Sequence, residues 1–269
     1  MKYKSIYPIT CATMDAQYRL TVDGVMTFHE NTVAKYLTTL NLAAFDLQKQ
    51  DKTWIISEIN LDLKEIPAVW PEDIEITIWP SELSALRLWF DFTAREVHGG
   101  RTIVRGNSCW SVMSFKERKI VSCSELFPAS EIVDELVMGP HRRRPQSPYG
   151  SQPVATLDHT INMMDLDMNY HTNNRHYVSM ALNCLPQRLL DTHRPDSLNI
   201  RFIHETLLGD ALTTESFPIQ GEDPEFFGLI KRSDGQEICR VNSHWKEYEP
   251  LPDICETNLI RNPLPAKED

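Results

Sequence analysis

The sequence predicts an α+β protein built from two copies of one structural unit. Three observations support this prediction: each half contains a capped helix with an apolar face, strand-like stretches follow the first of these helices, and short motifs recur in the second half. A helix followed by a run of strands favours antiparallel sheets over alternating βαβ units. A chain of 269 residues has room for two such domains.

The first unit is predicted to begin with an extended lead-in over residues 5–27, followed by a helix. His29 to Thr32 would start this helix, and apolar residues at helical spacing continue as far as Leu47. The apolar face is broad, which indicates burial on several sides. Strand-like stretches then span residues 54–63, 73–79, 86–96 and 102–115, with prolines and a glycine pair between them.

Two motifs recur in the second half of the chain. Residues 105–110 (Arg-Gly-Asn-Ser-Cys-Trp) match residues 240–245 (Arg-Val-Asn-Ser-His-Trp), and residues 26–31 match residues 168–173 in the pattern Met-x-x-His-x-Asn. Matches in the same order and at nearly the same spacing indicate an internal duplication. A long apolar helix wrapped by a curved antiparallel sheet is the hotdog architecture, so the sequence predicts a tandem (double) hotdog. Joining the two sheets edge to edge would remove an unpaired strand edge.

The composition changes near residue 128, where prolines and glycines become frequent. We therefore expect an N-terminal unit over residues 1–128 and a linker over 129–154 with a short helix at 130–137. A C-terminal unit would then occupy residues 155–269. Most of the tryptophans fall in the N-terminal unit, which suits either its core or a pocket for an acyl chain.

A dense group of polar residues precedes the second apolar helix. Asp167, Asn169 and His171 alternate, so an extended segment would place all three on one face. Asn173 or Asn174 would cap the helix. A helix start offers free N–H groups and a positive dipole end, which suits a carbonyl oxygen that becomes an oxyanion. The alternative interpretation is a polar loop that caps an ordinary helix.

The first copy of the unit lacks most of these polar groups. It carries Val25, Thr27 and His29 at the three corresponding positions, so only the histidine is retained. Residues that served only as structural caps would be kept equally in both copies. The difference therefore predicts one active site in each chain, built by the second copy.

Charge and composition restrict the classes of partner. The net charge of −11 argues against nucleic acid, and no apolar run is long enough for a membrane span. The N-terminus lacks the pattern of a secretory or transit peptide, so we expect a cytoplasmic protein. The six cysteines show no CxxC spacing and predict no metal or redox cofactor. An acidic partner would need a basic patch, for which Arg142, Arg143 and Arg144 are the candidates; a solvated linker is the alternative.

Two segments resemble a known family. Residues 167–177 (Asp-Met-Asn-Tyr-His-Thr-Asn-Asn-Arg-His-Tyr) resemble the Asp-Met-Asn-x-His-Val-Asn-Asn-x-x-Tyr signature of the acyl-acyl carrier protein (acyl-ACP) thioesterases of bacterial type. Residues 200–206 are similar to a family segment that ends in Arg-Glu-Cys, with Glu205 at the glutamate and Thr206 at the cysteine. The resemblance covers nearly the whole chain. It implies hydrolysis of fatty acyl-ACP to free fatty acid, without a cofactor and with acyl-ACP as partner.

The resemblance also implies roles for individual residues. Glu205 and His171 would activate water as a general-base pair. Asn169 and the backbone near Asn173 would hold the oxyanion, and Asp167 would either orient these groups or act as a nucleophile.

Thr206 departs from the family pattern. Its hydroxyl offers no thiolate, which disfavours a cysteine-type nucleophile and favours water or a carboxylate. We expect Thr206 beside the substrate, His176 at the surface and Asp165 as a solvated or capping residue. The alternatives are an acyl-CoA thioesterase on the same fold and a non-catalytic acyl-binding hotdog protein. The sequence leaves open the preferred chain length and whether the chain forms a homodimer.

Overall fold

The computed structural model describes residues 1–65, 67–139 and 152–247. The N-terminal half contains β1 (Tyr3–Pro8), α1 (Val22–Thr39), α2 (Ala44–Gln48), β2 (Lys52–Asp62), β3 (Asp73–Leu83), β4 (Leu88–Glu96), β5 (Thr102–Ser114) and β6 (Lys119–Val121). The C-terminal half contains β7 (Ala155–Thr160), α3 (Asn174–Asn183), α4 (Gln187–Thr192), β8 (His193–Phe202), β9 (Ala211–Ile219), β10 (Glu225–Arg232) and β11 (Glu237–Glu247). Single 3₁₀ turns occupy Ala129–Glu131 and Met163–Asp165.

The strands of both halves join in one antiparallel sheet. Its order is β1-β3-β4-β5-β2-β8-β11-β10-β9-β7, with β6 paired to β5. The C-terminal half repeats the strand order of the N-terminal half, which confirms the predicted tandem hotdog. The halves meet edge to edge, because residues 58–62 of β2 pair with residues 197–201 of β8. This pairing removes the free edge that each half would otherwise expose.

The motif that recurs in sequence also recurs in structure. In β5 the indole N–H of Trp110 donates to the Ser108 hydroxyl at 2.8 Å, and in β11 the indole of Trp245 donates to Ser243 at 2.9 Å. Both tryptophans are buried. The same hydrogen bond therefore satisfies a polar indole inside each half, as a buried tryptophan requires.

An asparagine row crosses the seam between the halves. Asn107, Asn60, Asn199 and Asn242 lie directly opposite one another on β5, β2, β8 and β11. The Asn60 side chain donates to Asn107 at 2.8 Å, and the Asn199 side chain donates to Asn60. The second of these hydrogen bonds joins the two halves.

Helix α1 begins earlier and ends earlier than predicted. Thr21 is its N-cap, with a hydroxyl that accepts the Gly24 N–H at 3.0 Å, so the extended lead-in expected as far as residue 27 is wrong from Val22 onwards. The helix stops before Asn41, which has a left-handed φ of 56°. The apolar run that was expected to continue as far as Leu47 turns there into the separate helix α2.

One hydrophobic core extends through both halves. A broad face of α1 contributes, with Val25 and Val33 among its buried residues, and α3 adds Tyr177 and Val178. Of the tryptophans in the N-terminal half, Trp70 alone is largely exposed. The other four are buried: Trp54, Trp79, Trp89 and Trp110. Within the described residues, no helix combines the length and the apolar character that crossing a membrane requires.

The segment after the first 3₁₀ turn packs on the N-terminal half. Val133 donates its N–H to Pro80 at 2.8 Å, the Trp79 indole donates to the Glu135 carbonyl at 2.8 Å, and Val137 donates to Asp91 at 2.9 Å. The helix expected at residues 130–137 is therefore a single turn followed by extended chain. Arg142, Arg143 and Arg144 lie outside the described residues.

Candidate active site

The polar residues before α3 form a tight turn. Asp167 donates its N–H to the His171 carbonyl at 2.8 Å, and its Oδ1 accepts the N–H groups of Asn169 at 2.7 Å and His171 at 3.3 Å. Tyr170 has a φ of 60° at the corner. The expected extended segment is wrong here, because an aspartate side chain that bonds backbone N–H groups downstream of it closes the chain into a turn. We call residues 167–171 the catalytic turn, after the roles that the family resemblance implies for Asp167, Asn169 and His171.

The catalytic turn leads directly into α3. Asn173 is the N-cap, and its side-chain oxygen accepts the Arg175 N–H at 3.2 Å. Its own N–H donates to the Asp165 carbonyl at 2.8 Å. The first N–H groups of α3 and the positive end of its dipole therefore lie next to His171.

Glu205 reaches the catalytic turn from the loop after β8. Its Oε2 lies 3.4 Å from Nδ1 of His171. The same carboxylate is ion-paired with Arg118, which comes from the turn between β5 and β6 of the N-terminal half. His171 and Glu205 are both partly buried, with 22% and 33% of their side-chain surface exposed.

The protonation of His171 follows from these surroundings. Burial lowers the pKa of His171; the Asp167 carboxylate opposes this shift, and the Arg118 guanidinium adds to it. The net effect is a pKa below the ordinary histidine value. His171 is therefore neutral near pH 7 and able to accept a proton.

Asn169 is held from the other half of the chain. The Gln48 side chain, at the end of α2, donates to Asn169 Oδ1 at 3.2 Å. Asn169 Nδ2 lies 3.5 Å from Asp167 Oδ2. The side-chain oxygen of Asn169 thus faces Gln48, and its amide nitrogen faces Asp167.

Thr206 lies beneath the site and has no exposed surface. Its hydroxyl is 2.7 Å from the Thr172 hydroxyl and 2.8 Å from the Tyr177 hydroxyl. Its carbonyl accepts the Thr172 N–H at 3.0 Å. Thr206 thus ties the Glu205 loop to the catalytic turn, and this buried position does not support the expected contact with substrate.

Asp165 lies behind the turn between two histidines. Its carboxylate accepts from His159 Nε2 at 2.9 Å and from the Asn162 N–H at 2.9 Å, and His176 Nδ1 lies 3.6 Å away. Burial opposes ionisation of Asp165, but the hydrogen bonds from Asn162 and His159 outweigh it and lower the pKa. The expected surface position of His176 is wrong, because its side chain is only 23% exposed and faces this carboxylate.

His29, the retained histidine of the first copy, is a core residue. Its Nε2 lies 2.9 Å from the Ser108 hydroxyl, and its ring stacks on Phe92 with centroids 4.1 Å apart. Burial lowers its pKa to about 3. His29 is therefore neutral and enclosed, so the two copies differ in environment as well as in sequence.

Glu30 follows His29 on α1 and faces the other half. Burial raises its pKa to about 7; Arg175 opposes this shift, whereas Asp167 and Asp23 add to it. Its Oε1 is buried and has no hydrogen-bond partner within the described part of the chain. Arg175 contacts both oxygens of Asp23, at 3.2 and 3.1 Å. A carboxyl group that is partly protonated near pH 7 thus lies on α1, within the electrostatic influence of Asp167.

A cavity of about 460 Å³ lies at the other end of α3. It opens between the start of α1 and the last turn of α3, and its walls include Val25, Val104 and Leu182 together with Arg19 and Arg194. It therefore lies away from His171. Within the described residues, no group of three or more His, Cys, Asp or Glu side chains could hold a metal ion.

Comparisons with known proteins assign the chain to a family. The model of the acyl-ACP thioesterase N-terminal domain matches residues 1–130, and that of the acyl-ACP thioesterase C-terminal domain matches residues 152–247. The chain belongs to the acyl-ACP thioesterase family. Each match covers one of the two halves of the sheet. The match to the C-terminal domain includes the catalytic turn and Glu205.

Individual relatives agree with the acyl-ACP thioesterase assignment. A chloroplastic acyl-[acyl-carrier-protein] hydrolase of Cuphea viscosissima is 21% identical over 258 residues, which are 91% of this chain and 62% of the relative. The chain thus spans less than two thirds of the length of that relative. The crystal structure of an acyl-ACP thioesterase from Bacteroides thetaiotaomicron has a TM-score of 0.81 and 22% identity, and the match covers 91% of this chain and 98% of that one.

A 12:0-ACP thioesterase from Umbellularia californica also has a TM-score of 0.81, with 17% identity. That match covers 92% of this chain and 98% of the other. At these identities the structural likeness establishes the fold.

Two residues of the site were missed from the sequence. Arg118 and Gln48 lie at turns of the N-terminal half, outside the motifs recognised in the sequence. The pairing of β2 with β8 joins that half to the C-terminal half. The only signal for them in the sequence was the predicted edge-to-edge joining of the sheets.

Proposed function

We propose that the protein hydrolyses the thioester of fatty acyl-ACP and releases free fatty acid. The main observation in support is that a neutral His171 lies 3.4 Å from Glu205, beside the start of α3. Family membership supports the substrate class, because the matching models describe acyl-ACP thioesterases.

His171 acts as the general base. Its Nδ1 faces Glu205, so an Nδ1–H tautomer leaves Nε2 free of its proton and ready to accept one from water. Glu205 orients the imidazole and stabilises the imidazolium that forms, as the acid of a catalytic triad does. Burial keeps the histidine neutral before the reaction.

Asn169 and the first N–H groups of α3 stabilise the oxyanion. Gln48 and Asp167 hold the Asn169 amide, and the N–H that is not directed at Asp167 donates to the carbonyl oxygen. Asn173 contributes through the cap that holds the helix start in place, since its own N–H is donated to the Asp165 carbonyl. Donors of this kind are each worth about 10²–10³ in rate.

Asp167 is an orienting residue in this proposal. Its Oδ1 already accepts two backbone N–H groups, and its Oδ2 faces the Asn169 amide. A carboxylate engaged in this way is a poor nucleophile, since attack would break the hydrogen bonds that shape the turn.

The reaction proceeds through a tetrahedral intermediate. The water oxygen bonds to the thioester carbon while His171 takes its proton, and the carbonyl oxygen becomes the oxyanion. Collapse breaks the carbon–sulfur bond, and the imidazolium returns the proton to the leaving thiolate. The products are the fatty acid and the carrier with a free thiol.

The experiment is release of fatty acid from a series of acyl-ACP thioesters, with matching acyl-CoAs in parallel. Wild type should release acid from the carrier substrates, and His171→Ala should abolish release. His204→Ala is the matched control, because His204 is exposed and adjacent to Glu205. Turnover of acyl-CoA as fast as that of acyl-ACP, or faster, would contradict the proposal that acyl-ACP is the substrate. If folded wild type released no fatty acid from either substrate, the proposed hydrolase activity would be wrong.

A further inference from the structure

A cluster of basic residues lies around the turn between β5 and β6. Lys116, Arg118 and Lys119 are exposed there within four consecutive positions. Lys49 and Lys52 flank the neighbouring turn between α2 and β2. The chain as a whole carries a net charge of −11, so this cluster contrasts with the rest of the surface.

Hydrogen bonds hold the two turns together. Phe115 donates its N–H to the Asp51 carbonyl at 3.0 Å, and Lys116 donates its N–H to Asp51 Oδ2 at 3.3 Å. Ser114 donates its hydroxyl to the same carboxylate at 2.8 Å. Asp51 is thus engaged within the turns, and Asp46 is 3.8 Å from Lys49. Glu117 is the remaining acidic residue of these two turns.

The lysines on the strands point to the side of the sheet that carries the helices. Ser114 is directly opposite Lys52 on one neighbouring strand and Lys119 on the other, so the three side chains share a face. Ser108, six residues earlier on the same strand, is bonded to His29 of α1 and marks that face as the helical one.

The basic cluster is continuous with the catalytic site. Arg118 is ion-paired with Glu205, and Gln48, next to Lys49, donates to Asn169. Exposed apolar side chains lie beside it: Phe45 is 58% exposed on α2, and Met168 and Tyr170 are each 74% exposed on the catalytic turn. Large apolar groups exposed next to an active site indicate a surface that a partner covers.

We infer that Lys49, Lys52, Lys116 and Lys119, with the apolar rim of Phe45, Met168 and Tyr170, form the docking surface for the acyl carrier protein. This inference rests on the proposed hydrolysis of acyl-ACP. A carrier protein is acidic, so its negative face would meet the lysines while its prosthetic arm enters between Arg118 and the catalytic turn. Arg118 is left out of the docking surface because it contacts Glu205.

The docking surface affects the association of the enzyme with the carrier protein rather than the hydrolysis step. Complementary charge raises the association rate of two proteins and is screened by salt. The lysines do not contact the reacting groups. Their effect should therefore appear in kcat/KM for the carrier substrate and not in the turnover of a small thioester.

The test is the double variant Lys116→Glu/Lys119→Glu, assayed on an acyl-ACP and on the matching acyl-pantetheine. We expect kcat/KM for acyl-ACP to fall by about tenfold or more at low salt, with kcat retained and acyl-pantetheine turnover unchanged. The decrease of kcat/KM with added salt that we expect for wild type should also disappear. The single variants Lys116→Ser and Lys119→Ser test the same point if the double variant fails to fold.

The control is Lys64→Glu/Arg188→Glu, which makes the same change in net charge elsewhere. Lys64 lies beyond the opposite end of β2 and Arg188 on α4, and both are exposed. Unchanged kcat/KM for acyl-ACP in the lysine variant, or an equal loss in the control, would overturn the docking surface. An equal loss on acyl-pantetheine would also overturn it. This result can be distinguished from failure of the proposed hydrolysis, because in that case the wild type would turn over neither acyl-ACP nor acyl-pantetheine.

Discussion

Glu205 Oε2 lies 3.4 Å from Nδ1 of His171, and the carboxylate that makes this contact also holds Arg118. One carboxylate therefore joins a histidine of the C-terminal half to an arginine of the N-terminal half. The contacts of His171 thus depend on both halves of the chain.

Replacing Glu205 with glutamine should lower kcat for acyl-ACP by about 10²–10⁴ while the fold survives. The amide keeps the size of the side chain but removes the charge that stabilises the imidazolium. Steady-state turnover and circular dichroism measure the two effects. Glu125→Gln, at an exposed position, is the control. Near-normal turnover in Glu205→Gln would contradict the general-base pair.

Replacing Arg118 with glutamine should move the acid limb of the pH–rate profile to higher pH. Arg118 helps to lower the pKa of His171, so its removal raises that pKa. The base works only when neutral, and activity is lost as the pH falls through its pKa. Measurement of kcat/KM against pH on acyl-pantetheine isolates this effect from docking. An acid limb that stays in place or moves to lower pH would show that Arg118 does not act on His171.

Replacing Thr206 with valine should cost stability and leave substantial activity. The buried hydroxyl has two hydroxyl partners, Thr172 and Tyr177, and each of them loses one hydrogen bond when it is removed. The free energy of unfolding should fall by about 1–3 kcal/mol, measured by urea denaturation. Complete loss of turnover in a folded variant would instead indicate a direct role in the reaction.

Replacing Glu30 with glutamine should stabilise the protein above pH 7 and have little effect near pH 4. Burial raises the pKa of Glu30 in the folded state to about 7 from an ordinary 4.5. The folded state therefore keeps a proton that the unfolded chain loses, so this contribution to stability is full below pH 4.5 and lost as the pH rises through 7. The difference in the free energy of unfolding between variant and wild type should grow with pH to about 3 kcal/mol at most. Urea denaturation at pH 5 and pH 8 measures it, and an identical difference at both values would contradict a buried, protonated Glu30.

Much of the fold could be predicted because the duplication leaves local signals. The Ser-x-Trp motif of β5 and β11, the apolar helices and the glutamate after β8 each depend on residues close together in sequence. The proximity of Glu205 to His171 was predicted by family resemblance, and the structure brings them together. Their catalytic roles stay predictions.

Other features depend on contacts that local patterns do not encode. The catalytic turn was taken for an extended segment because the alternation of Asp167, Asn169 and His171 fits a strand equally well. The contacts of Thr172 with Thr206, which join the end of this turn to the Glu205 loop, link residues far apart in sequence. Arg118 reaches the site from a hairpin that no motif marks, and His176 is drawn inward by Asp165.

The asparagine row has a consequence for how chains assemble. A slip of one residue between β2 and β8 would set the Asn60 amide against Leu198 or Ile200 in place of Asn199. The hydrogen bond between Asn60 and Asn199 therefore penalises every other alignment of the two halves, much as a buried asparagine fixes register in a coiled coil. A second copy of the chain could offer the same β2 or β8 edge for pairing. Valine in place of both Asn60 and Asn199 would therefore allow halves from different molecules to pair more readily. Such a protein would be prone to domain-swapped dimers, in which the C-terminal half of one chain pairs with the N-terminal half of another.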